Sequence, residues 1–244
     1  MIFPRLKTFY RGFTAPELVV LVAGISAITT ILPALGKAKA KANRIKCVNN
    51  LGSIGKSHMG FTYEYDGFPW QLQPAEKQQH FDMTSGLDKT VGGIFGLEAM
   101  KDELWTAKVL VSPCDPARAS ANEMLESNWE SYNTREGNPM PSDGISYVLC
   151  EGADDLLPTT VLSLTRNLSS DDLANATWLG ADSDPVNPNT MAGLNFSQGQ
   201  LGRSDGSVLQ STNNDLGAEG EIVGDHINAK GGRSPENPST RIFR

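Results

Sequence analysis

The sequence predicts an α+β protein with one long N-terminal helix, followed by short strands and loops. Residues 18–35 form an apolar run without a single charged side chain. Residues 36–66 keep apolar side chains at steps of three, four or five, which is the spacing of one helix face. After residue 66, short apolar stretches alternate with Gly- and Pro-bearing segments, a pattern typical of short strands joined by irregular loops.

Composition limits the classes of function. The 244 residues are enough for one sizeable domain and carry a net charge of −7. Without the three cations of the first twelve residues, the remainder carries −7 − 3 = −10, which argues against a nucleic-acid partner. The three cysteines form no CxxC pair and the three histidines are scattered, so the spacing of a structural zinc site is missing from the sequence.

The apolar run admits three interpretations. It can be a signal peptide cut after the run, a plain membrane anchor, or an anchor that remains after a cut before the run. Ala38 and Ala40 have the spacing of a signal-peptidase site, but the lysines around them fit it poorly. Counted from Phe13, the run just reaches the roughly 20 residues that a spanning helix needs. Basic residues flank both ends, and the positive-inside rule alone favours the orientation opposite to the third interpretation.

Residues 11–17, Arg-Gly-Phe-Thr-Ala-Pro-Glu, stand directly before this run and closely resemble the prepilin signature. The resemblance, to type IV pilins and type II secretion pseudopilins, implies cleavage after Gly12 and methylation of the new N-terminal Phe13. It places Glu17 fifth in the mature chain. Pro33 falls at mature position 21, where the family commonly has a proline. In place of the usual Leu-Ile before the glutamate, this chain has Ala15-Pro16, which a helix start tolerates.

The resemblance also implies an architecture. Residues 1–12 would be the leader, residues 13–35 the transmembrane and filament-core helix, residues 36–66 its amphipathic continuation, and residues 67–244 an extracytoplasmic domain. The second half of the helix would pack on a small antiparallel sheet with long loops. The protein would be a single-pass protein of the bacterial inner membrane.

The function implied is that of a structural subunit of a type IV pilus or a type II secretion pseudopilus, and not of an enzyme. Its partners would be prepilin peptidase, the membrane, the inner-membrane assembly platform, and other pilin-like subunits in a homo- or hetero-oligomeric filament. Two alternatives remain open. One is a minor adhesin-like subunit that binds a ligand through its loops, and the other is a hydrolase held at the membrane by a signal anchor.

Glu17 has a physical role in the filament interpretation. A carboxylate in the hydrocarbon of a membrane costs on the order of 2.5–3.5 kcal/mol, so it indicates function. In a filament it would pair with the amine of a neighbouring Phe13 and fix the register between subunits. The alternative is that Glu17 lies at the headgroup boundary, where the helix dipole favours an anion.

In the body, the helix is expected to end near Tyr65, before the breaker Asp-Gly-Phe-Pro of residues 66–69. Residues 108–111 and 145–149 are strand candidates, and residues 92–96, 126–144 and 182–190 are predicted loops. The predicted apolar face of the helix consists of Leu35, Ala38, Ala42, Ile45, Val48, Leu51, Ile54 and Met59.

Residues 202–206, Gly-Arg-Ser-Asp-Gly, match the G-x-S-x-G pattern of a serine-hydrolase elbow, which needs a strand before the serine and a helix after it. A strand-like segment follows instead, and His226 is the only histidine at a suggestive position. The sequence therefore favours a hairpin turned by Asp205-Gly206.

Two further sites are weaker predictions. Calcium is the only cofactor suggested, because Asn213, Asn214, Asp215 and Glu219 offer oxygen ligands at short spacing, as in the C-terminal loop of major pseudopilins. A solvated acidic loop explains the same residues. For an exported domain, Cys114 and Cys150 are a candidate disulfide, although three pairings are open and all three thiols can equally be buried and free.

Overall fold

The computed structural model describes residues 14–81, 89–182, 187–233 and 237–244. The chain divides into two units, Met1–Ala42 and Asn43–Arg244. A single helix, α1, spans Ala15–Tyr65 and contributes to both. Its predicted C-terminus is confirmed. Asp66 and Gly67 follow it with φ angles of +55° and +153°, a backbone that no α-helix continues through.

The second half of α1 buries one stripe of side chains. Its members are spaced by four and three residues and are fully buried: Cys47, Leu51, Ile54, His58 and Phe61. The predicted apolar face is correct at Leu51 and Ile54 but wrong elsewhere, since Leu35, Ile45 and Met59 are 59%, 53% and 44% exposed. The stripe includes a cysteine and a histidine, so hydrophobicity alone could not locate it.

In the described part of the chain, the short helices that follow are α2 (Pro74–Phe81), α3 (Val91–Phe95), α4 (Glu98–Leu104), α5 (Ala119–Ser127) and α6 (Glu221–Asn228). Single turns of 3-10 helix occupy Ala107–Leu110, Pro116–Arg118, Trp129–Ser131, Thr134–Glu136, Ser142–Gly144 and Leu173–Asn175.

One antiparallel sheet forms the centre of the second unit. Its strands are β1 (Tyr147–Cys150), β2 (Val161–Thr165), β3 (Gly199–Arg203), β4 (Val208–Ser211) and β5 (Ile242–Phe243). Their order is β4-β3-β2-β1-β5, and every neighbouring pair is antiparallel. The α+β class and the small antiparallel sheet are therefore confirmed, as is the strand expected at residues 145–149.

The sheet is covered on both faces, and the alternation along β1 shows it. Tyr147 and Leu149 belong to a cluster with the buried stripe of α1 and with α3 and α4. Val148 and Cys150 point the other way, into a second cluster that includes α6. Because successive strand residues point to opposite faces, β1 is buried throughout.

The hairpin predicted at Asp205-Gly206 joins β3 to β4. The Gly206 N–H donates to the Arg203 carbonyl at 3.0 Å, and the Arg203 N–H donates to the Ser207 carbonyl at 2.9 Å. Gly206 has φ +80°, so the loop is a tight turn closed by a left-handed residue, a three-residue hairpin loop in which glycine is favoured.

Three local predictions are wrong. Residues 108–111 are not a strand, because the Thr106 hydroxyl accepts from the Lys108 N–H and starts a 3-10 turn at Ala107. Residues 92–96 are not an open loop but lie largely in α3, whose residues are all buried. Residues 126–144 are not a simple exposed loop. The Thr134 hydroxyl donates to the Gly93 carbonyl at 2.6 Å and fixes the middle of this segment against α3.

Candidate functional site

Glu17 lies at the start of α1, where its carboxylate caps the helix. Glu17 Oε2 accepts from the Thr14 N–H at 2.8 Å and from the Thr14 hydroxyl at 2.7 Å. Thr-Ala-Pro-Glu is the spacing of a capping box, a signal present in the sequence and not used in the prediction. The predicted processing residues Gly12 and Phe13 lie outside the described residues.

The described side chains of α1 up to Ala42 are exposed, and they include large apolar ones such as Leu18, Val20 and Leu32. Within the first unit, none of these described side chains is covered by another part of the chain. Among the side chains that the structure describes, which leave out residues 27, 28, 30 and 31 of α1, no helix is long and apolar enough to span a membrane.

In the second unit, a buried polar group ties α1 to the sheet. The Ser112 hydroxyl donates to the Cys47 sulfur at 3.1 Å, and the Tyr147 hydroxyl does so at 3.4 Å. The thiol in turn donates to Gln200 Oε1 on β3 at 3.1 Å. Burial raises the pKa of Cys47 to about 12, so the group stays a neutral thiol that holds the helix in register.

The segment that follows Ser112 is fixed by a buried ion pair. Arg166 Nε donates to Asp115 Oδ2 at 2.6 Å and Nη2 to Asp115 Oδ1 at 2.8 Å, a bidentate arrangement. Arg166 Nη1 also donates to the Pro188 carbonyl at 2.7 Å. Both charged side chains are almost completely buried, so the pair joins the turn after Ser112 to the end of β2.

The proposed disulfide partners are apart in the structure. Cys114 and Cys150 are free, buried thiols, as is Cys47. Cys114 packs with Met191 and Leu194, while Cys150 lies in the cluster that also contains α6. Burial raises the pKa of Cys150 to about 12, which makes it a poor nucleophile.

The oxygens proposed for calcium are partly used by the chain itself. Asn213 Oδ1 accepts from the Trp178 N–H at 2.7 Å, and Asp215 Oδ2 accepts from the Thr212 N–H at 2.6 Å. Asn214 and Glu219 are exposed. Among the described residues, no group of three or more His, Cys, Asp or Glu side chains is placed to hold a metal ion. Calcium binding there stays an untested prediction.

The hydrolase pattern lies in a hairpin and not in a strand-turn-helix elbow. Ser204 is buried, and its hydroxyl lies 2.8 Å from that of Thr160. His226 is held elsewhere: its Nδ1 accepts from the Val161 N–H at 3.1 Å, and its Nε2 lies 3.0 Å from the Ser239 carbonyl. With both ring nitrogens bonded to backbone, His226 is not oriented as a base for Ser204.

One cavity was not expected from the sequence. Three arginines far apart along the chain, Arg118, Arg166 and Arg244, line a space of about 60 Å³ beside β1. No motif links these positions, and only the fold brings them together.

Comparisons of the chain with protein-family models, curated proteins and solved structures found no match.

Proposed function

We propose that this chain is a pilin-like structural subunit of a type IV pilus or a type II secretion pseudopilus. Prepilin peptidase would cut between Gly12 and Phe13 and methylate Phe13. The mature chain would stay in the bacterial inner membrane through residues 13–35, with the second unit outside the cytoplasm. The assembly platform would then build it into a filament with other pilin-like subunits.

The observation that carries this proposal is Gly12-Phe13 with Glu17, set directly before the uncharged residues 18–35. Two features of the structure are compatible with it. The described side chains of α1 up to Ala42 bury nothing in their own unit, which leaves them free for subunit packing. The later part of the same helix is built into the core beside the sheet.

The capping geometry leaves room for a contact between subunits. Both bonds from Thr14 end on Oε2 of Glu17, and Oε1 has no partner among the described residues. Oε1 is therefore available to accept from the amine of a neighbouring Phe13. Capping within one chain and pairing between chains can coexist on one carboxylate.

A variant series separates the two roles of Glu17. Glu17→Ala removes both capping and pairing, whereas Thr14→Ala removes the cap hydroxyl and keeps the carboxylate. We expect the leader of Glu17→Ala to be cleaved, but we expect few filaments to be recovered when the cells are sheared. Thr14→Ala should lose only the exposed hydroxyl bond to Glu17 and still assemble. Glu123→Ala, which removes an exposed carboxylate of α5, is the control.

Mass spectrometry of the membrane-extracted protein tests the processing step. The expected N-terminus is a methylated Phe13. A protein that retains Met1–Gly12, or one that is soluble and lacks residues 13–35, would overturn the proposal. So would filaments in normal number from Glu17→Ala.

A further inference from the structure

The arginine-lined cavity is an unusual feature of this acidic protein. It lies between the start of α3, the Ser142 turn and β1, and its volume is about 60 Å³. Its lining includes the guanidinium-bearing residues Arg118, Arg166 and Arg244, and no acidic residue is among the described residues that line it.

Two of the three arginines are neutralised from outside the cavity. Arg166 forms its bidentate ion pair with Asp115. Arg244 pairs with Asp171 through Nε, and its Nη1 and Nη2 donate to the carbonyls of Arg166 and Leu168 at 3.1 and 3.2 Å. These contacts hold both guanidinium groups in fixed positions beside the cavity.

Among the described residues, Arg118 is the cavity arginine that forms no ion pair with a carboxylate. Its Nη1 instead donates to the Ser142 carbonyl. Burial, and then the neighbouring charge of Arg166, lower the pKa of Arg118, whereas Asp115 and Asp143 act in the opposite direction. A partly buried cation whose charge no described ion pair compensates is stabilised by an anion.

We propose that this cavity binds a small oxyanion of the phosphate or sulfate class, with Arg118 as its principal ligand and Arg244 as the second. The cavity volume of about 60 Å³ is several times the roughly 10–15 Å³ needed to admit one water and about twice the roughly 30 Å³ that a water occupies in the liquid. This leaves room for one small polyatomic ion such as a tetrahedral oxyanion, and far too little for a nucleotide. The site does not depend on the proposed filament, because all of its residues lie in the second unit.

Isothermal titration of the full chain in a nonionic detergent tests the site. Sodium phosphate and sodium sulfate are titrated at constant ionic strength, with sodium chloride as the reference. Glycerol phosphate forms a second arm. Binding of inorganic phosphate alone indicates an enclosed site for the free ion, and binding of both indicates that the mouth admits a phosphate ester. Either result supports the proposal.

Two matched variants locate the binding. Arg118→Gln should raise the Kd for phosphate at least about tenfold, because one charge-assisted hydrogen bond contributes that much. Arg241→Gln, which removes the same charge from an exposed position, should leave Kd within about twofold. Arg118→Lys keeps the charge but loses the planar fork of donors, so it should also raise the Kd, by less than Arg118→Gln, and it serves if Arg118→Gln does not fold. Equal Kd values for the wild type and a folded Arg118 variant, or no heat from phosphate beyond that from chloride, would overturn the proposal.

Discussion

The buried imidazole of His58 is predicted to make the stability of the second unit depend on pH. His58 is fully buried on α1 among three aromatic rings, with ring centroids 5.9 Å from Phe68, 5.8 Å from Trp70 and 5.9 Å from Phe95. Its Nδ1 lies 2.9 Å from the Ile54 carbonyl. Its Nε2 is buried without a partner among the described residues. Burial lowers the pKa of His58 from 6.5 to about 4.

The sign and size of the effect follow from proton linkage. The unfolded chain binds a proton at His58 below pH 6.5, while the folded chain binds one only near pH 4. The contribution of neutral His58 to the free energy of unfolding is therefore fully present well above pH 6.5, and it is lost as the pH drops towards 4. At 1.36 kcal/mol per pH unit, the full loss is about 3 kcal/mol. Burial also lowers the pKa of His226, so its contribution has the same sign.

Chemical denaturation of the wild type and His58→Leu between about pH 7.5 and pH 4.5 isolates this effect. The leucine has nearly the volume of the imidazole and no ring nitrogen to protonate. We expect the free energy of unfolding of the wild type to fall by about 2–3 kcal/mol more than that of the variant over this range. Subtracting the two curves cancels His226 and the carboxylates. A difference between the curves that stays constant with pH would refute the assigned pKa and its cause.

Three further predictions concern the second unit. Asp115→Asn should lower the free energy of unfolding by about 3–5 kcal/mol in urea denaturation, because it leaves the buried charge of Arg166 unpaired; a loss below 1 kcal/mol would contradict this. Gly206→Ala should lower the Tm, because residue 206 has φ +80° and a Cβ there would lie 3.0 Å from the Met59 sulfur. Thiol titration should detect almost no reactive cysteine in the native protein and three after unfolding without reductant, whereas a disulfide would leave one.

The sequence determined the parts of the fold that depend on local backbone chemistry. The end of α1 at Tyr65 follows from Asp66-Gly67, and the β3-β4 hairpin follows from Asp205-Gly206. In both places a left-handed backbone is required, and the residues that adopt it are few. The cap that Glu17 forms with Thr14 at the start of α1 is likewise visible in the sequence, since its signal is a fixed spacing of residue types.

Tertiary contacts decided the rest. Residues 108–111 have the composition of a strand, but Thr106 and the contacts of the neighbouring helices make them a 3-10 turn. The Glu126 carboxylate contributes by accepting from the Ala107 N–H at 2.8 Å. The strand propensity of each of these residues is worth only a fraction of a kcal/mol. A hydrogen bond such as the one from Ala107 to Glu126 contributes about as much or more, so it can override that preference.

The arginine cavity depends even more on the fold. Arg118, Arg166 and Arg244 stand far apart in the sequence, with no spacing that would associate them. Arg166 and Arg244 meet because β2 and β5, which they directly follow, lie on either side of β1. Arg118 joins them from the turn Pro116–Arg118, where its Nη1 donates to the Ser142 carbonyl. Local sequence chemistry thus fixed where helices and turns end, whereas long-range packing decided which charges share one small cavity.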